Sequence, residues 1–189
     1  MKQRCNWMTT DPLYLDYHDN EWGIPVYDDE KLFAMLCLEG QQAGLSWITI
    51  LKKREDFYKI FANFIPEELI KFSDKKIIKI LKDPKIIRNR LKVNAIVGNA
   101  KAYLELKKTE PSFSDFLWRY VDGKPKENNW STNNPQPALT KESKAMAKDL
   151  KKLGFNFVGP TICYAFMQAC GMVNDHQKQC YKHPGNITP

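Results

Sequence analysis

The amino-acid sequence predicts an all-α protein built as one domain over residues 1–189. Apolar residues recur at helical spacing along most of the chain, as at Leu32, Phe33 and Leu36. No segment of convincing length alternates apolar and polar residues as a half-buried strand would. A chain of 189 residues is also long enough to bury a real hydrophobic core.

Capping residues and helix breakers divide the chain into successive helices. The acidic run 28–30 favours the first turn of a helix because it complements the helix dipole. Ser46 and Thr140 are expected N-caps, and Pro84 is expected to end the helix that opens at Ser73. The expected helices are 28–39, 46–57, 73–83, 90–107, 113–121, 140–153 and 161–171.

Residues 122–138 differ in composition from the rest of the chain. They are rich in Gly, Pro, Asn, Ser and Thr, which is typical of a loop or linker. A loop of this length is either functional or mobile.

The net charge is compatible with a polyanionic partner. Lys and Arg number 29 against 22 Asp and Glu, which gives a formal charge of +7. Each phosphate that a protein neutralises releases counterions, but charge alone does not single out nucleic acid. The most apolar stretch, 158–173, is shorter than the ~20 residues of a membrane-spanning helix, so we expect a buried helix and no membrane association.

The cysteines indicate reduced thiols and a cytoplasmic protein. Their number, five, is odd, and residues 1–10 are polar, unlike an export signal. Cys37, Cys163 and Cys170 lie on apolar helical faces and are expected to pack in the core.

The other two cysteines combine with two histidines near the chain ends: Cys5, His18, His176 and Cys180. His176 and Cys180 are four residues apart, so on a helical turn their side chains would face the same way. Two thiolates and two imidazoles would complete a closed tetrahedral zinc site, which favours a structural role. The alternative is that the four are unrelated surface and core residues.

A helix, a glycine-bounded turn at 154–159 and an apolar helix follow one another near the C-terminus. Backbone N–H groups at such a turn, around Phe157, Val158 and Gly159, can hold a phosphate without reading sequence. The alternative is an ordinary αα-hairpin in which glycine caps the first helix. Three lysines lie just upstream, Lys148, Lys151 and Lys152.

Glu39 ends an apolar helix in this interpretation, and Trp47 opens the next one. The N-terminal segment adds Trp7, Tyr14, Tyr17 and Trp22. A carboxylate with aromatic walls suits a flat cationic ring, through cation–π attraction and a charge-assisted hydrogen bond. The alternative is that Glu39 is a solvated helix end and the aromatic residues belong to the core.

Taken together, these segments resemble the 3-methyladenine DNA glycosylase I family of bacterial base excision repair. The resemblance covers nearly the whole chain. It is carried by Arg4-Cys5-Asn6-Trp7, Asp11-Pro12-Leu13-Tyr14, Tyr17-His18-Asp19-Asn20-Glu21-Trp22-Gly23, the run from Leu38 to Trp47, Phe157-Val158-Gly159 and Val173-Asn174-Asp175-His176.

The resemblance implies a helix-hairpin-helix glycosylase fold with a zinc lobe that joins the N- and C-termini. The zinc ligands would be the four Cys and His residues named above. Glu39 would be the catalytic residue and would bind the flipped base with Tyr17, with Trp47 stacking on it and Tyr14 and Trp22 completing the site. The hairpin at 157–159 would grip the DNA backbone.

The implied activity is excision of 3-methyladenine from double-stranded alkylated DNA by base flipping, with the free base as product. N3-methylation makes the base cationic and weakens its glycosidic bond, so the base leaves neutral and needs no protonation. No lysine nucleophile is evident, so no lyase activity is expected. We expect a monomer, associated with the nucleoid through DNA.

Two residue roles stay open in the sequence. Leu45, between Gly44 and the Ser46 cap, either wedges into the gap left by the flipped base or packs in the core. Asp175 either supports the sugar cation or orients the neighbouring zinc ligand.

Two other functions are compatible with parts of the pattern. One is a zinc-stabilised nucleic-acid-binding module without activity. The other is a mismatch or oxidised-base glycosylase, but those often carry an iron–sulfur cluster on four closely spaced C-terminal cysteines, and this C-terminus has three, Cys163, Cys170 and Cys180.

Overall fold

The computed structural model describes residues 2–186, and most of them lie in α-helices. The helices are α1 Pro12–Asn20, α2 Asp29–Gln42, α3 Trp47–Leu51, α4 Arg54–Ile60, α5 Pro66–Leu69, α6 Asp74–Ile80, α7 Arg90–Leu106, α8 Phe113–Trp118, α9 Lys141–Lys152 and α10 Pro160–Ala169. Short 3-10 turns occupy Ala62–Phe64, Arg119–Val121 and Pro184–Asn186. No helix of the described residues is long and apolar enough to cross a membrane.

Helix α2 lies at the centre of the fold. It packs against α7, α8 and α10, and α10 packs in turn against α9. Leu32, Phe33 and Leu36 of α2 are completely buried, as the helical spacing of these residues predicts. A second, smaller hydrophobic cluster joins the two ends of the chain around Cys5, Tyr17 and Cys180, among other residues.

The N-caps expected at Ser73 and Thr140 are confirmed by their hydrogen bonds. The Ser73 hydroxyl accepts from the Lys76 N–H, and Thr140 forms a reciprocal capping box with Ser143. Asp28 caps α2 in the same way, accepting from the Lys31 N–H at 2.8 Å. These bonds satisfy N–H groups that a helix end leaves without a partner.

The single helix expected over 46–57 is wrong. The structure divides it at Lys52 and Lys53 into α3 and α4. Leu51 packs in the cluster that joins the chain ends, whereas Phe57 packs in the main core. Helix α3 contributes to both clusters, since Ile50 beside Leu51 packs in the main core. Ser46 still precedes α3 as its N-cap, although its side chain makes no capping bond.

Helix α1 was not expected from the sequence. Tyr17 and His18 are its buried residues, so it shows little apolar periodicity. The signal for its start is Asp11, whose side chain accepts from the Leu13 N–H, followed by Pro12 in the first helical position.

Two short strands, β1 Lys126–Glu127 and β2 Val173–Asn174, pair in parallel. Lys126 lies opposite Val173, and Glu127 lies opposite Asn174. Two residues are too few to show alternation, so the expectation of a strand-free chain was wrong at this point. The pairing attaches the loop 122–138 to the segment that follows α10.

Candidate functional site

The four Cys and His residues from the two ends of the chain converge in one buried cluster. The ligating atoms of Cys5, His18, His176 and Cys180 lie within 4.8 Å of one another and could hold a metal ion. Both thiols lie 3.6 Å from Nδ1 of His176, and the Cys180 thiol lies 3.5 Å from Nε2 of His18. The structure thus rejects the alternative that these residues are unrelated.

The remaining nitrogen of each imidazole has its own hydrogen-bond partner. His18 donates from Nδ1 to Asp19 at 2.8 Å, and His176 donates from Nε2 to the Trp22 carbonyl at 3.2 Å. A hydrogen bond from Arg4 holds the pKa of Asp19 well below its ordinary value, so Asp19 stays ionised. Partners of this kind fix which nitrogen faces a metal.

One detail of the expected geometry is wrong. His176 and Cys180 lie on a tight turn after β2 rather than on a helical turn. The Cys180 N–H donates to the Gln177 carbonyl at 2.7 Å, and this bond closes the turn. The turn still brings the two side chains together.

A cavity of about 220 Å³ opens beside this cluster. It is lined by Trp7, Tyr14, Tyr17, Trp22, Glu39, Gln42, Trp47, Gln136, Ala165 and Gln168. All five residues expected to bind a base therefore meet in one place. The wall is aromatic on one side and rich in carboxamides on the other.

Glu39 is the acidic residue of this cavity. Its side chain is only 3% exposed, and Oε2 has no hydrogen-bond partner among residues 2–186. Burial raises the pKa of Glu39 to about 8. The expected helix end at Glu39 is wrong, since α2 continues to Gln42. The alternative of a solvated helix end is thereby excluded.

Aromatic side chains surround the Glu39 carboxyl. The rings of Tyr17 and Trp47 are tilted, with centroids 5.5 Å apart, and Tyr14 stacks on Tyr17 at 6.4 Å. Burial, and secondly the charge of Glu39, raises the pKa of Tyr17 well above its ordinary value, so its hydroxyl stays protonated. Trp47 Nε1 is buried with no partner in the described part of the chain.

A second cavity of about 310 Å³ shares Tyr17, Glu39 and Trp47 with the first. Arg54 and Glu21 form a bidentate ion pair in its wall. The three shared side chains therefore form a partition between two spaces.

Leu45 lies at the edge of the 220 Å³ cavity that Glu39 lines. It is 39% exposed and lines a groove that also reaches Glu39 and the start of α10. Gly44, before it, has a φ of +76°, a backbone conformation that glycine adopts readily. Exposure of Leu45 excludes the core alternative and leaves the side chain free to enter a duplex.

Lys92, on α7, fixes the turn that carries Leu45. Its ammonium donates to the carbonyls of Gln41 and Ala43, each at 2.7 Å. Cations are favourable at helix C-termini, where carbonyls lack partners. A lysine in the first turn of α7 carried no signal for this role, because its partners lie about fifty residues away in sequence.

The turn between α9 and α10 packs directly behind Glu39. A Cβ at Gly40 would lie 3.1 Å from the Cβ of Phe157, so the absence of a side chain permits this approach. Gly159 is the N-cap of α10 and is partly exposed. The side chain of Val158 is 1% exposed, so Val158 can meet DNA only through its backbone.

Asp175 is completely buried and has four donors around its carboxylate. Asn128 Nδ2 and Trp130 Nε1 donate to Oδ1, at 2.7 and 2.9 Å. The Tyr164 hydroxyl and Gln168 Nε2 donate to Oδ2, at 2.6 and 2.7 Å. A carboxylate so fully engaged has little capacity left to act as a base, and none of its four donors is one of the Cys and His residues of the cluster.

The remaining cysteines pack in the core as expected. Cys37, Cys163 and Cys170 are buried. Cys180 instead belongs to the four-residue cluster, so the three C-terminal cysteines do not form one site. This arrangement excludes the iron–sulfur alternative.

Sequence reasoning missed several residues of the cavity. Trp7 was noted among the aromatic residues but not assigned to the base site. Gln42 and Gln168 lie in segments that carry the family resemblance but were not assigned to the base site, and Gln136 carried no signal, because only the fold brings these three segments together.

Comparison with known proteins agrees with this geometry. The methyladenine glycosylase family matches residues 7–183. DNA-3-methyladenine glycosylase 1 of Escherichia coli strain K12 is 50% identical over 184 residues, which span 97% of this chain and 98% of that protein.

Solved structures are similarly close. A crystal structure of 3-methyladenine DNA glycosylase I matches with a TM-score of 0.94 and 52% identity, over 96% of this chain and 100% of that one. The enzyme from Staphylococcus aureus, in a structure concerned with its recognition of 3-methyladenine, matches with a TM-score of 0.91 and 40% identity, over 98% and 97%. The chain belongs to the methyladenine glycosylase family and is a glycosylase, an enzyme of the hydrolase class.

Proposed function

We propose that this protein removes 3-methyladenine from double-stranded alkylated DNA by flipping the base into the cavity at Glu39 and hydrolysing its N-glycosidic bond. The observation that carries the proposal is a buried carboxyl with an unpartnered oxygen, set among aromatic rings. The relatives named for this activity match over nearly the whole chain.

The charge of the base gives the site its selectivity in this proposal. Removing a methyl group from a ligand changes pocket binding by only ~1–3 kcal/mol, so shape alone discriminates weakly. Glu39, whose raised pKa favours its neutral form in the free enzyme, ionises as it pairs with a cationic base, whereas neutral adenine offers no charge to stabilise the buried carboxylate. Tyr17 and Trp47 add cation–π attraction to the faces of the ring.

Hydrolysis needs little further help from the protein. The glycosidic bond of the cationic base is already weak, and the base departs as a neutral molecule. Flipping requires a few kcal/mol, and Leu45 is positioned to fill the gap that the base leaves.

We also propose that the cluster of Cys5, His18, His176 and Cys180 holds one structural zinc ion. Tetrahedral zinc, with bonds of about 2.3 Å to sulfur and 2.0–2.1 Å to nitrogen, separates these atoms by about 3.6 Å. The sulfur–nitrogen distances of 3.5 and 3.6 Å suit that geometry. The metal would supply folding energy, since four protein ligands close its coordination.

DNA would be held by a helix-hairpin-helix element formed by α9, the turn 153–159 and α10. Gly159 places the N-terminus of α10, with its unpaired N–H groups, at the surface. Such a terminus favours a phosphate. Lys148, Lys151 and Lys152 are exposed on the preceding helix and add positive charge.

We propose that the enzyme has no lyase activity. Strand cleavage would need an amine nucleophile at the sugar, and none of the described residues lining the 220 Å³ cavity is a lysine. Lys31 lines only the neighbouring cavity, and the Lys92 ammonium is engaged by two carbonyls. We further propose a monomer that works in the cytoplasm, where its thiols stay reduced.

Incubation of the protein with methylated duplex DNA tests the proposal directly. The released bases are identified by chromatography, and the DNA is examined for strand breaks before and after alkali. The expected result is free 3-methyladenine, with breaks only after alkali. Tight DNA binding without any released base would instead support a binding module.

A further inference from the structure

We propose that Gln136 contacts the flipped base and tunes its recognition, and that Asp175 is the positioning residue that holds Gln136 in place through the loop 122–138. The inference rests on the proposed function and deepens it. It assigns a role to the Gly-, Pro- and Asn-rich loop that the motifs left unexplained.

The loop is tied down at a few points. Most of its residues are exposed, but Asn128 and Trp130 are half-buried, and both donate to the Asp175 carboxylate. The Lys178 N–H donates to the Trp130 carbonyl at 3.0 Å, and β1 pairs with β2. These bonds fix the path of the chain up to Trp130, and the paired backbone hydrogen bonds between Ser131 and Asn134 continue the fixed path towards Gln136.

The other half of the Asp175 carboxylate faces the cavity wall. Oδ2 accepts from Gln168 and Tyr164 of α10, and Gln168 lines the 220 Å³ cavity together with Gln136. One buried carboxyl group therefore joins the loop to a helix that lines the cavity. Because an unpartnered buried charge is very unfavourable, all four donors are strongly held.

Gln136 is the loop residue that reaches the cavity. It is half-buried and makes no hydrogen bond within residues 2–186, so its carboxamide is free to bond a ligand. A carboxamide both donates and accepts, which suits the mixed edge of a purine. Glu39 would read the charge of the base, and Gln136 would read part of its edge.

The experiment compares Gln136→Ala with the wild type in two assays. Binding of free 3-methyladenine is followed by tryptophan fluorescence, and excision from methylated duplex is followed as kcat/KM. We expect each to fall about ten-fold, the effect of losing one hydrogen bond, with an unchanged melting temperature. Wild-type binding and excision by Gln136→Ala would overturn the proposal.

The positioning role is tested by Trp130→Phe, which keeps an aromatic ring but removes the indole N–H that donates to Asp175. We expect Trp130→Phe to weaken base binding less than Gln136→Ala does. The double variant should bind the base no more weakly than Gln136→Ala alone, because both substitutions act through one contact. Asn129→Ala, at the exposed residue between the two anchors, is the matched control and should bind normally. Multiplying losses in the double variant would contradict the role of Trp130 and Asp175.

The two assays also separate this inference from the proposed function. A wild-type protein that released no 3-methyladenine would contradict the function. The binding comparison between the wild type and Gln136→Ala would still decide whether Gln136 contacts the base.

Discussion

The indole ring of Trp22 packs edge-on against the imidazole of His176, with 4.7 Å between the ring centroids. The Trp22 carbonyl accepts a hydrogen bond from the same imidazole, and the Trp22 side chain lines the 220 Å³ cavity at Glu39. One residue thus links the Cys and His cluster to the cavity wall. The integrity of the cavity is therefore expected to depend on the cluster.

The first prediction concerns the metal. Purified protein should hold one zinc ion per chain, and Cys180→Ala should lose the ion and at least about 4 kcal/mol of unfolding free energy, because metal binding here is also folding energy. Elemental analysis and thermal unfolding measure the two effects. His183→Ala is the control, since His183 lies outside the cluster. Much less than one zinc per chain in protein purified without chelator would contradict the prediction.

The second prediction concerns Glu39. Glu39→Gln should keep fold and zinc but cut excision of 3-methyladenine and weaken the preference for charged over neutral bases. Single-turnover excision and competition with neutral analogues measure this. Tyr17→Phe should have a smaller effect, because the ring and its cation–π attraction remain. Excision at the wild-type rate by a folded, zinc-loaded Glu39→Gln protein would rule the role out.

The third prediction follows from the raised pKa of Glu39. Burial gives Glu39 a pKa of about 8 in the free folded enzyme, against 4.5 in an exposed carboxyl. Between pH 4.5 and pH 8 the folded protein therefore keeps a proton on Glu39 that the unfolded chain has released. The contribution of Glu39 to stability is full below pH 4.5 and is lost as pH rises towards 8, by up to about 5 kcal/mol.

Glu39→Gln should remove this pH dependence from the unfolding free energy. In excision, kcat/KM of the wild type should rise towards pH 8, because a cationic base binds the ionised carboxylate, and this rise should also vanish in the variant. Denaturant titrations and rate profiles from pH 5 to 9 measure both. Identical profiles for the two proteins would show that Glu39 does not titrate in this range.

The fourth prediction concerns Leu45. Leu45→Ala should lower excision from duplex DNA several-fold, with little effect on melting temperature because the side chain is already exposed. Excision from single-stranded DNA, which needs no wedge, should change much less. Ile78→Ala removes a similarly exposed side chain from α6 and should leave both rates unchanged. A large fall in stability without a fall in duplex activity would contradict the wedge.

The last prediction concerns the salt dependence of DNA binding. The logarithm of the binding constant should fall linearly with the logarithm of salt concentration and differ little between sequences, because phosphates rather than base edges are held. Lys151→Ala, at the end of α9, should reduce the slope by about 0.9, as expected for one phosphate contact. Lys71→Ala, whose charge pairs with Glu68, should not change it. Titrations at several salt concentrations measure the slopes.

The sequence by itself determined the helical class, most helix starts and the identity of the main site residues. Helical periodicity and capping relate residues that lie within one or two turns of each other. The sequence alone therefore identifies pairs such as Leu32 with Leu36, or Thr140 with Ser143. Motif resemblance supplied the rest, including the grouping of Glu39 with Tyr17 and Trp47, which no spacing rule yields.

The tertiary structure alone decided the contacts made between distant segments. Burial of Glu39, which raises its pKa, depends on walls contributed by several elements, and Lys92 acts on carbonyls far away in sequence. Asp175 was ambiguous in sequence because a carboxylate beside a metal ligand can serve either role, and the fold shows a third set of partners, since its four donors come from the loop 122–138 and from α10. Desolvation and hydrogen-bond saturation are properties of a folded environment, so a linear pattern of residues does not encode them directly.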